Sequence, residues 1–219
     1  MSLLHVNRIS REYINSLPAV RFEGKVVLVD RPEQEEMVIR QLREETCVGF
    51  DTESRPAFKK GVSYPISLVQ LATHDAAYLF QLKKTGFSEA MMDFLADEHI
   101  KKIGIGVKAD IVKLQELKDF APGGFIDLSK IAKEKGIIQI GARALTARYL
   151  GRRLVKTAQK TNWALSKLSK KQQVYAASDA WVCLQVYPHL VADTTNYRKF
   201  GEQEMAEDSE GTIDNQESL

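Results

Sequence analysis

The chain has 219 residues, of which 44% are hydrophobic and 27% charged. These values are ordinary for a globular protein and exclude a collagen-like, wholly disordered or disulfide-rich chain. No run approaches the roughly 18 consecutive apolar residues that a membrane-spanning helix needs, so we expect no membrane association. The formal net charge of +2 conceals an asymmetry: residues 201–219 contain seven acidic residues and no Lys or Arg, which leaves 31 basic and 22 acidic residues, or +9, in residues 1–200.

We predict an N-terminal extension over residues 1–23, one folded domain over 24–192, and an acidic, solvated and disordered tail over 193–219. Cys47 and Cys183 lie far apart in apolar segments, which favours reduced core residues of a cytoplasmic protein over a disulfide. The first residues lack the apolar centre of a secretion signal. The sequence predicts no particular oligomeric state.

Strand patterns dominate the first part of the chain. They cover residues 25–30, 46–53, 66–73 and 76–82, with a helix after Pro32 and a hairpin turn between the last two strands. Helical patterns follow at 88–97, 108–117, 128–136, 142–151 and 171–190, with one short strand at 101–106. This order predicts one α/β domain with a mixed sheet flanked by helices.

Two carboxylates follow the apolar run of the second predicted strand, in VGFDTE. Because side chains alternate along a strand, Asp51 and Glu53 face the same side. Neighbouring like charges are unfavourable unless a proton or a cation lies between them, and Mg²⁺ prefers oxygen ligands. A metal site is therefore one interpretation. A solvated strand end is the other, and so short a pattern alone favours it.

Two further carboxylates lie in helical segments. Tyr175 and Asp179 are four residues apart in YAASDAW and share a helix face, and the small residues between them allow another element to approach closely. Asp110 follows IGIGVKA near a predicted helix start, where the helix dipole favours a carboxylate. Taken singly, Tyr175 and Asp179 are better explained as a core tyrosine beside an exposed aspartate than as part of a metal site. Asp110, taken singly, is better explained as a helix cap.

The order of these residues resembles the motifs of the DEDD exonuclease superfamily, in its tyrosine-bearing branch. D-x-E on a strand is followed by an Asp 59 residues later, and Y-x-x-x-D ends a further 69 residues on. The segments VGFDTE, ISLVQLATHDAAYLF, KKIGIGVKADIVKL and TNWALSKLSKKQQVYAASDAW are similar to successive segments of the ribonuclease D and Werner syndrome helicase type. The resemblance covers roughly residues 24–192.

This resemblance implies a ribonuclease-H-like fold, with a central mixed β-sheet flanked by helices on both sides. It implies hydrolysis of phosphodiester bonds from the 3′ end of DNA or RNA, with release of nucleoside 5′-monophosphates. It also implies two divalent ions, Mg²⁺ or Mn²⁺, about 3.5–4 Å apart. The implied ligands are Asp51, Glu53, Asp110 and Asp179, and Tyr175 would orient the attacking water together with Glu53.

A stretch of 44 residues, 135–178, contains no acidic residue. Solvated surfaces usually mix charges of both signs, so we interpret the stretch as a track for a phosphate backbone, with a plain solvated surface as the alternative. Trp163 is a candidate for stacking on a base, and packing against the sheet explains it equally well. The candidate nucleic-acid contacts are Lys108, Arg152, Arg153, Lys156 and Trp163.

Patterns for other cofactors do not occur in the sequence. IGIG at 103–106 lacks the third glycine of a dinucleotide fingerprint, and there is no P-loop pattern, so we predict no nucleotide cofactor. Gly104 and Gly106 are interpreted instead as tight packing beside Asp110. The four histidines are scattered, which argues against a zinc site.

The leading hypothesis is a metal-dependent 3′–5′ exonuclease. A catalytically silent nucleic-acid-binding domain of the same fold is the alternative from another class, although binding a polyanion requires no carboxylate cluster. An endonuclease of the wider ribonuclease-H-like group is a third hypothesis, which the tyrosine motif disfavours. The sequence does not distinguish DNA from RNA, or single from double strands.

Overall fold

The computed structural model of the protein describes residue 6 and residues 8–200. The strands are Ala19–Val20 (β1), Lys25–Val29 (β2), Cys47–Ser54 (β3), Ile66–Ala72 (β4), Ala76–Gln81 (β5), Lys101–Gly104 (β6), Phe125–Asp127 (β7) and Arg153–Leu154 (β8). The helices are Arg11–Ser16 (α1), Pro32–Leu42 (α2), Leu82–Thr85 (α3), Glu89–Ala96 (α4), Val107–Leu117 (α5), Leu128–Glu134 (α6), Ala142–Leu150 (α7) and Lys170–Ala192 (α8). Within this part of the chain, no helix has the length and hydropathy to cross a bilayer.

Six strands form the central sheet, in the order β2-β5-β4-β3-β6-β7. β4 and β5 form the predicted antiparallel hairpin, in which the Thr73 hydroxyl accepts a hydrogen bond from the Ala76 amide, and β3 pairs antiparallel with β4. The β2–β5, β3–β6 and β6–β7 pairs are parallel. The sheet is therefore mixed, as the order of elements predicts, and β3 lies near its middle.

Helices cover both faces of this sheet. One apolar layer joins α2, α4 and α5 to Val48 and Phe50 of β3. On the opposite face, α6, α7 and α8 pack around Ile103 of β6, and α8 continues across β4 and β5. The prediction of helices on both sides of a mixed sheet is confirmed.

The long helix α8 lies unusually close to β3. It begins at a capping box, in which Ser169 Oγ accepts the Gln172 amide and the Gln172 side chain accepts the Ser169 amide. Farther along the helix, a Cβ atom added to Gly49 of β3 would lie 2.0 Å from the carbonyl oxygen of Ala180. Only glycine at position 49 permits this approach, which occurs just after Asp179 rather than at the small residues between Tyr175 and Asp179 where close contact is predicted.

Segments outside the predicted domain also pack on it. β1 pairs in parallel with β8, and the Phe22 amide donates a 2.8 Å hydrogen bond to Ser178 Oγ of α8. Near the other end, Tyr197 is fully buried against α6 and α7, and its hydroxyl donates a 2.8 Å hydrogen bond to Asp193. The predicted tail boundary at residue 193 is therefore too early for residues 193–200. Residues 201–219 lie outside the described residues.

Both cysteines are free thiols. Cys183 is buried in α8, whereas Cys47 is only half-buried at the start of β3. Burial, and then the nearby charges of Asp51 and Asp179, raise the pKa of the Cys183 thiol well above its ordinary value. Cys183 is thus an unreactive core residue, as its apolar surroundings in the sequence predict.

Candidate active site

β3 directs two carboxylates toward α8. Val48 and Phe50 belong to the apolar layer on the other face, under α2, α4 and α5. Because strand side chains alternate, Asp51 and Glu53 point to the face that α8 covers. This confirms that the two carboxylates share a face, as the D-x-E pattern predicts.

Asp179 of α8 completes a cluster of three carboxylates. One carboxylate oxygen from each of Asp51, Glu53 and Asp179 lies within 4.8 Å of the other two. The Oδ1 atom of Asp179 is buried and has no hydrogen-bond partner among the described residues. A buried oxygen without a partner is costly, and a hard divalent cation with oxygen ligands satisfies it. The donor set therefore fits Mg²⁺ or Mn²⁺.

Burial and mutual repulsion raise the pKa values of these carboxyl groups. Burial, followed by the charge of Asp179, raises the pKa of Asp51 well above its ordinary value. Burial, followed by the charge of Asp51, raises the pKa of Glu53 to about 9. Protons and divalent cations therefore compete for the cluster at neutral pH. Strongly perturbed acids grouped in this way are typical of functional sites.

A lysine side chain enters the carboxylate cluster. Nζ of Lys156 lies 2.7 Å from Oδ2 of Asp179, with the two side chains 22% and 4% exposed. The same atom lies 5.3 Å from the centroid of the Tyr175 ring. The sequence predicts a phosphate contact for Lys156, but the contact present in the structure is with a carboxylate.

Tyr175 lies one helical turn before Asp179, as the spacing predicts. It is buried, and its ring packs on that of Trp163 with the centroids 5.7 Å apart. Burial, and then the charges of Asp179 and Glu53, raise the pKa of Tyr175 above its ordinary value. The residue is therefore a protonated phenol beside the carboxylates, able to donate a hydrogen bond.

Asp110 approaches from the opposite face of β3. Its Oδ1 atom accepts a 2.5 Å hydrogen bond from Thr52 Oγ1. It lies outside the cluster of three, yet its charge contributes to the raised pKa values of Asp51 and Glu53. Asp110 is not the N-cap of α5, which is Gly106, but it lies in the first turn of that helix, where the dipole favours a carboxylate as predicted.

Two residues that support Asp110 were not predicted in that role. Thr52 lies between the two acids of β3 and, by strand alternation, points away from them toward α5. Asp127, the N-cap of α6, accepts both the Ser129 amide and the Gly106 amide at 2.9 Å, which fixes the start of α5. The alternation of side chains along β3 would have predicted that Thr52 faces α5, on the side opposite Asp51 and Glu53.

The IGIG glycines have two different roles. Gly104 packs tightly as predicted, since an added Cβ would lie 2.4 Å from a methyl carbon of Val107. The packing interpretation of Gly106 is wrong, because no atom lies within 4 Å of its added Cβ. Its backbone is left-handed, with φ +74°, and this conformation explains the glycine.

The predicted nucleic-acid contacts differ in their exposure. Trp163 is 1% exposed in the layer around Tyr175, so its ring has no open face for a base, and the packing interpretation is correct. Arg153 is half-buried in β8, and its Nε is buried without a hydrogen-bond partner among the described residues. Arg152 and Lys108 are exposed.

Comparisons with known proteins identify the family. Residues 26–194 match the sequence profile of the 3′–5′ exonuclease family. The chain belongs to this family. A 3′–5′ exonuclease of Arabidopsis thaliana is 31% identical over 199 residues, which cover 83% of this chain and 69% of the relative. The bifunctional 3′–5′ exonuclease/ATP-dependent helicase WRN of Mus musculus is 29% identical over 186 residues, which cover 80% of this chain and only 13% of that much longer protein.

Similarity to a solved structure also supports the fold. Ribonuclease D of Trypanosoma brucei, crystallised in complex with RNA U12, has a TM-score of 0.71 at 19% identity. The similarity covers 80% of this chain and 65% of that one. The predicted ribonuclease-H-like fold of a DEDD exonuclease is confirmed.

Proposed function

We propose that this family member is a metal-dependent 3′–5′ exonuclease that releases nucleoside 5′-monophosphates from DNA or RNA. The observation that carries the proposal is the convergence of the Asp51, Glu53 and Asp179 oxygens within 4.8 Å, beside the protonated phenol of Tyr175. Family membership supports nuclease activity, and the RNA bound by the Trypanosoma brucei enzyme supports a nucleic-acid substrate. A cytoplasmic location stays a prediction from the composition.

Asp51, Glu53 and Asp179 would hold the divalent ions, with Asp51 shared between two sites. Asp110 would act on the second site through water, consistent with its position outside the cluster of three. When bound, two such ions supply an acidified water and positive charge at the reacting phosphate.

The side chains themselves orient the reaction. Glu53 and Tyr175 are far apart in the sequence, but both lie close to Asp179 in the fold, so a water between them can donate to a carboxylate and accept from a phenol. Holding this water in line with the terminal phosphodiester is an entropic contribution of the protein. Attack breaks the bond between phosphorus and the preceding 3′ oxygen. The terminal nucleoside leaves with its 5′-phosphate, and the shortened strand keeps a 3′ hydroxyl.

A catalytically silent nucleic-acid-binding domain is the alternative. Buried carboxyl groups offer no attraction to a polyanion and, with their raised pKa values, reduce the stability of the metal-free protein at neutral pH. A domain that only binds gains nothing from them. The cluster therefore favours the enzyme.

End-labelled strands test the proposal. One strand is labelled at its 5′ end and another at its 3′ end, and both are incubated with Mg²⁺ or Mn²⁺, with and without a chelator. A 5′-labelled ladder that shortens stepwise, immediate release of the 3′ label as a mononucleotide, and inhibition by the chelator support the proposal. Binding without cleavage supports the silent domain, and cuts in a circular strand support an endonuclease.

Matched variants connect the activity to the cluster. Asp51→Asn should abolish cleavage and preserve the fold, since the residue serves cations rather than the apolar core. Asp93→Asn, on the exposed side of α4, is the control with the same chemical change. Cleavage by Asp51→Asn at the control rate would refute the metal assignment. Matched DNA and RNA substrates, single- and double-stranded, would then define the substrate class.

A further inference from the structure

A basic groove adjoins the carboxylate cluster without containing it. Its volume is about 1060 Å³, and its walls are residues 19–24, the segment around β8 and the first half of α8. Tyr175 lines the groove, whereas none of the three clustered carboxylates does. The groove therefore meets the candidate active site at Tyr175 and extends from there toward the β4–β5 turn at His74.

Cations predominate along this groove. Four basic side chains, all exposed, face two acidic ones, Glu23 and Asp75. The basic residues are Arg21, Arg152, Lys170 and Lys171. Arg21 lies 3.9 Å from Glu23, but the other three form no ion pair within residues 8–200. Three cations are therefore available to an anionic ligand.

The position of Lys170 and Lys171 is unfavourable for α8 itself. The first turn of a helix carries partial positive charge, which favours acidic side chains and disfavours lysines. α8 has no acidic residue in its first turn, and the capping box of Ser169 and Gln172 already satisfies two of its amides. The two lysines thus add repulsion without a compensating contact, and a bound polyanion would offset that repulsion.

We propose that this groove binds the phosphate backbone of a nucleic-acid strand whose 3′ end is held at the carboxylate cluster. The inference rests on the proposed function, since that function supplies the strand and its direction: the groove takes the part on the 5′ side of the reacting nucleotide. Contacts to phosphates position a strand without reading its sequence. The groove therefore favours long substrates over short ones, whatever their sequence.

A second basic cleft, of about 460 Å³ between α1 and the start of α7, is less suitable. Its cations are Arg11, Arg143 and Lys156. Arg143 donates a 2.9 Å hydrogen bond to Asn15, and Lys156 is paired with Asp179. Fewer of its charges are available to a phosphate than in the larger groove.

The test reverses charge at the start of α8. In the variant Lys170→Glu/Lys171→Glu, two cations become acids at positions where the helix dipole favours acids, so we expect the fold to persist. The matched control is Lys130→Glu/Lys133→Glu, which makes the same change at two exposed lysines of α6 that lie outside the groove. Binding of a long, labelled single strand is measured in chelator across a range of salt, and hydrolysis of that strand and of a dinucleotide is measured in Mg²⁺.

We expect the groove variant to bind the long strand roughly tenfold more weakly than the control, with a salt slope lower by about 1.4, which corresponds to two lost phosphate contacts of a single strand. Hydrolysis of the dinucleotide should be unchanged, because its only phosphodiester is the one that reacts at the cluster and no other backbone phosphate remains for the groove. Equal affinities and equal salt slopes for the groove variant and the control would overturn the proposal.

This experiment separates the two proposals. If the wild type binds the strand through the groove but hydrolyses neither substrate, the phosphate site is supported and the proposed function is refuted. If the wild type hydrolyses both substrates while the groove variant degrades the long strand at the control rate, the groove is refuted and the proposed function is supported.

Discussion

Nζ of Lys156 lies 2.7 Å from Oδ2 of Asp179, within the cluster of oxygens that fits a divalent cation. The ammonium group lowers the electrostatic cost of assembling Asp51 and Glu53 beside Asp179, since it opposes the rise in pKa of both. A metal ion that binds the same oxygens must displace this ammonium or tolerate its repulsion. The lysine therefore stabilises the metal-free site and weakens the binding of metal to it.

This relationship predicts the behaviour of Lys156→Met. Without nucleic acid, the variant should bind Mn²⁺ at least about tenfold more tightly, because two unit charges about 4 Å apart interact by about 4 kcal/mol at an effective dielectric constant of 20, well above the roughly 1.4 kcal/mol that a tenfold change requires. Electron paramagnetic resonance of free Mn²⁺ measures the affinity. In chelator the variant should melt at a lower temperature than wild type. Lys160→Met, an exposed change four residues later, is the control, and equal or weaker Mn²⁺ binding by Lys156→Met would contradict the prediction.

Tyr175→Phe removes one hydroxyl and keeps the ring that packs on Trp163. We expect kcat to fall by about 100-fold, in the range of a lost proton-handling or water-orienting group, while KM changes little. Steady-state kinetics on a long strand separates the two constants. Tyr187→Phe, a half-buried tyrosine farther along α8, is the matched control. Wild-type turnover by Tyr175→Phe would exclude the phenol from the mechanism.

The raised pKa of Glu53 predicts how stability depends on pH. Its pKa is about 9 in the metal-free protein, against an ordinary value of 4.5, so the folded state holds this proton more tightly than the unfolded chain does. The contribution of Glu53 to the free energy of unfolding is therefore greatest at low pH and falls as the pH rises from about 4.5 to about 9. Thermal unfolding in chelator should show this fall in wild type and a smaller one in Glu53→Gln. An equal decrease of the melting temperature with pH in wild type and in Glu53→Gln would show that Glu53 is not the titrating group.

Stabilisation by a bound metal ion should depend on pH in the opposite direction. Divalent ions bind the deprotonated carboxylates, so stabilisation by Mn²⁺ should grow with pH over the same window. The measured quantity is the increase in melting temperature at a fixed Mn²⁺ concentration. An increase that does not depend on pH would separate metal binding from these carboxyl groups.

Gly49 sets the distance between β3 and α8. An alanine there would place its Cβ 2.0 Å from the Ala180 carbonyl oxygen, so the helix that carries Asp179 must move away from Asp51. We expect Gly49→Ala to lose about 1–3 kcal/mol of stability, as overpacked cores do, and to bind Mn²⁺ more weakly. Gly141→Ala is the control, since no atom lies within 4 Å of its added Cβ. Urea unfolding and Mn²⁺ titration measure the two effects, and a stable Gly49→Ala with unchanged Mn²⁺ affinity would refute this account.

The sequence predicted the site well wherever its residues lie on regular elements. D-x-E on a strand and Y-x-x-x-D on a helix each fix a shared face, and the apolar residues around them determine which face is buried. The contact of Lys156 with Asp179 was not predictable in this way. Lys156 belongs to the irregular segment between β8 and α8, where no periodicity indicates the direction of a side chain. Trp163 lies in the same segment, which is why stacking and packing explained it equally well.

Short elements were missed for a related reason. β1 and β8 have two residues each, too few for alternation to be visible, and their pairing joins segments more than 130 positions apart. Tyr197 is one aromatic residue in a polar stretch, so composition assigned it to the tail, although it fills a gap beside α6 and α7. Composition averages over many residues, whereas packing depends on single side chains.

The pairing of β1 with β8, together with the bond from the Phe22 amide to Ser178, has a practical consequence for choosing expression boundaries. A fragment trimmed to the family match, residues 26–194, would lack the strand that braces Arg153–Leu154, two positions ahead of Lys156. It would also end before Tyr197, whose ring is buried in the apolar layer beside α6 and α7. We therefore expect a stable fragment to need residues from about Ile9 to Phe200, beyond the family match at both ends.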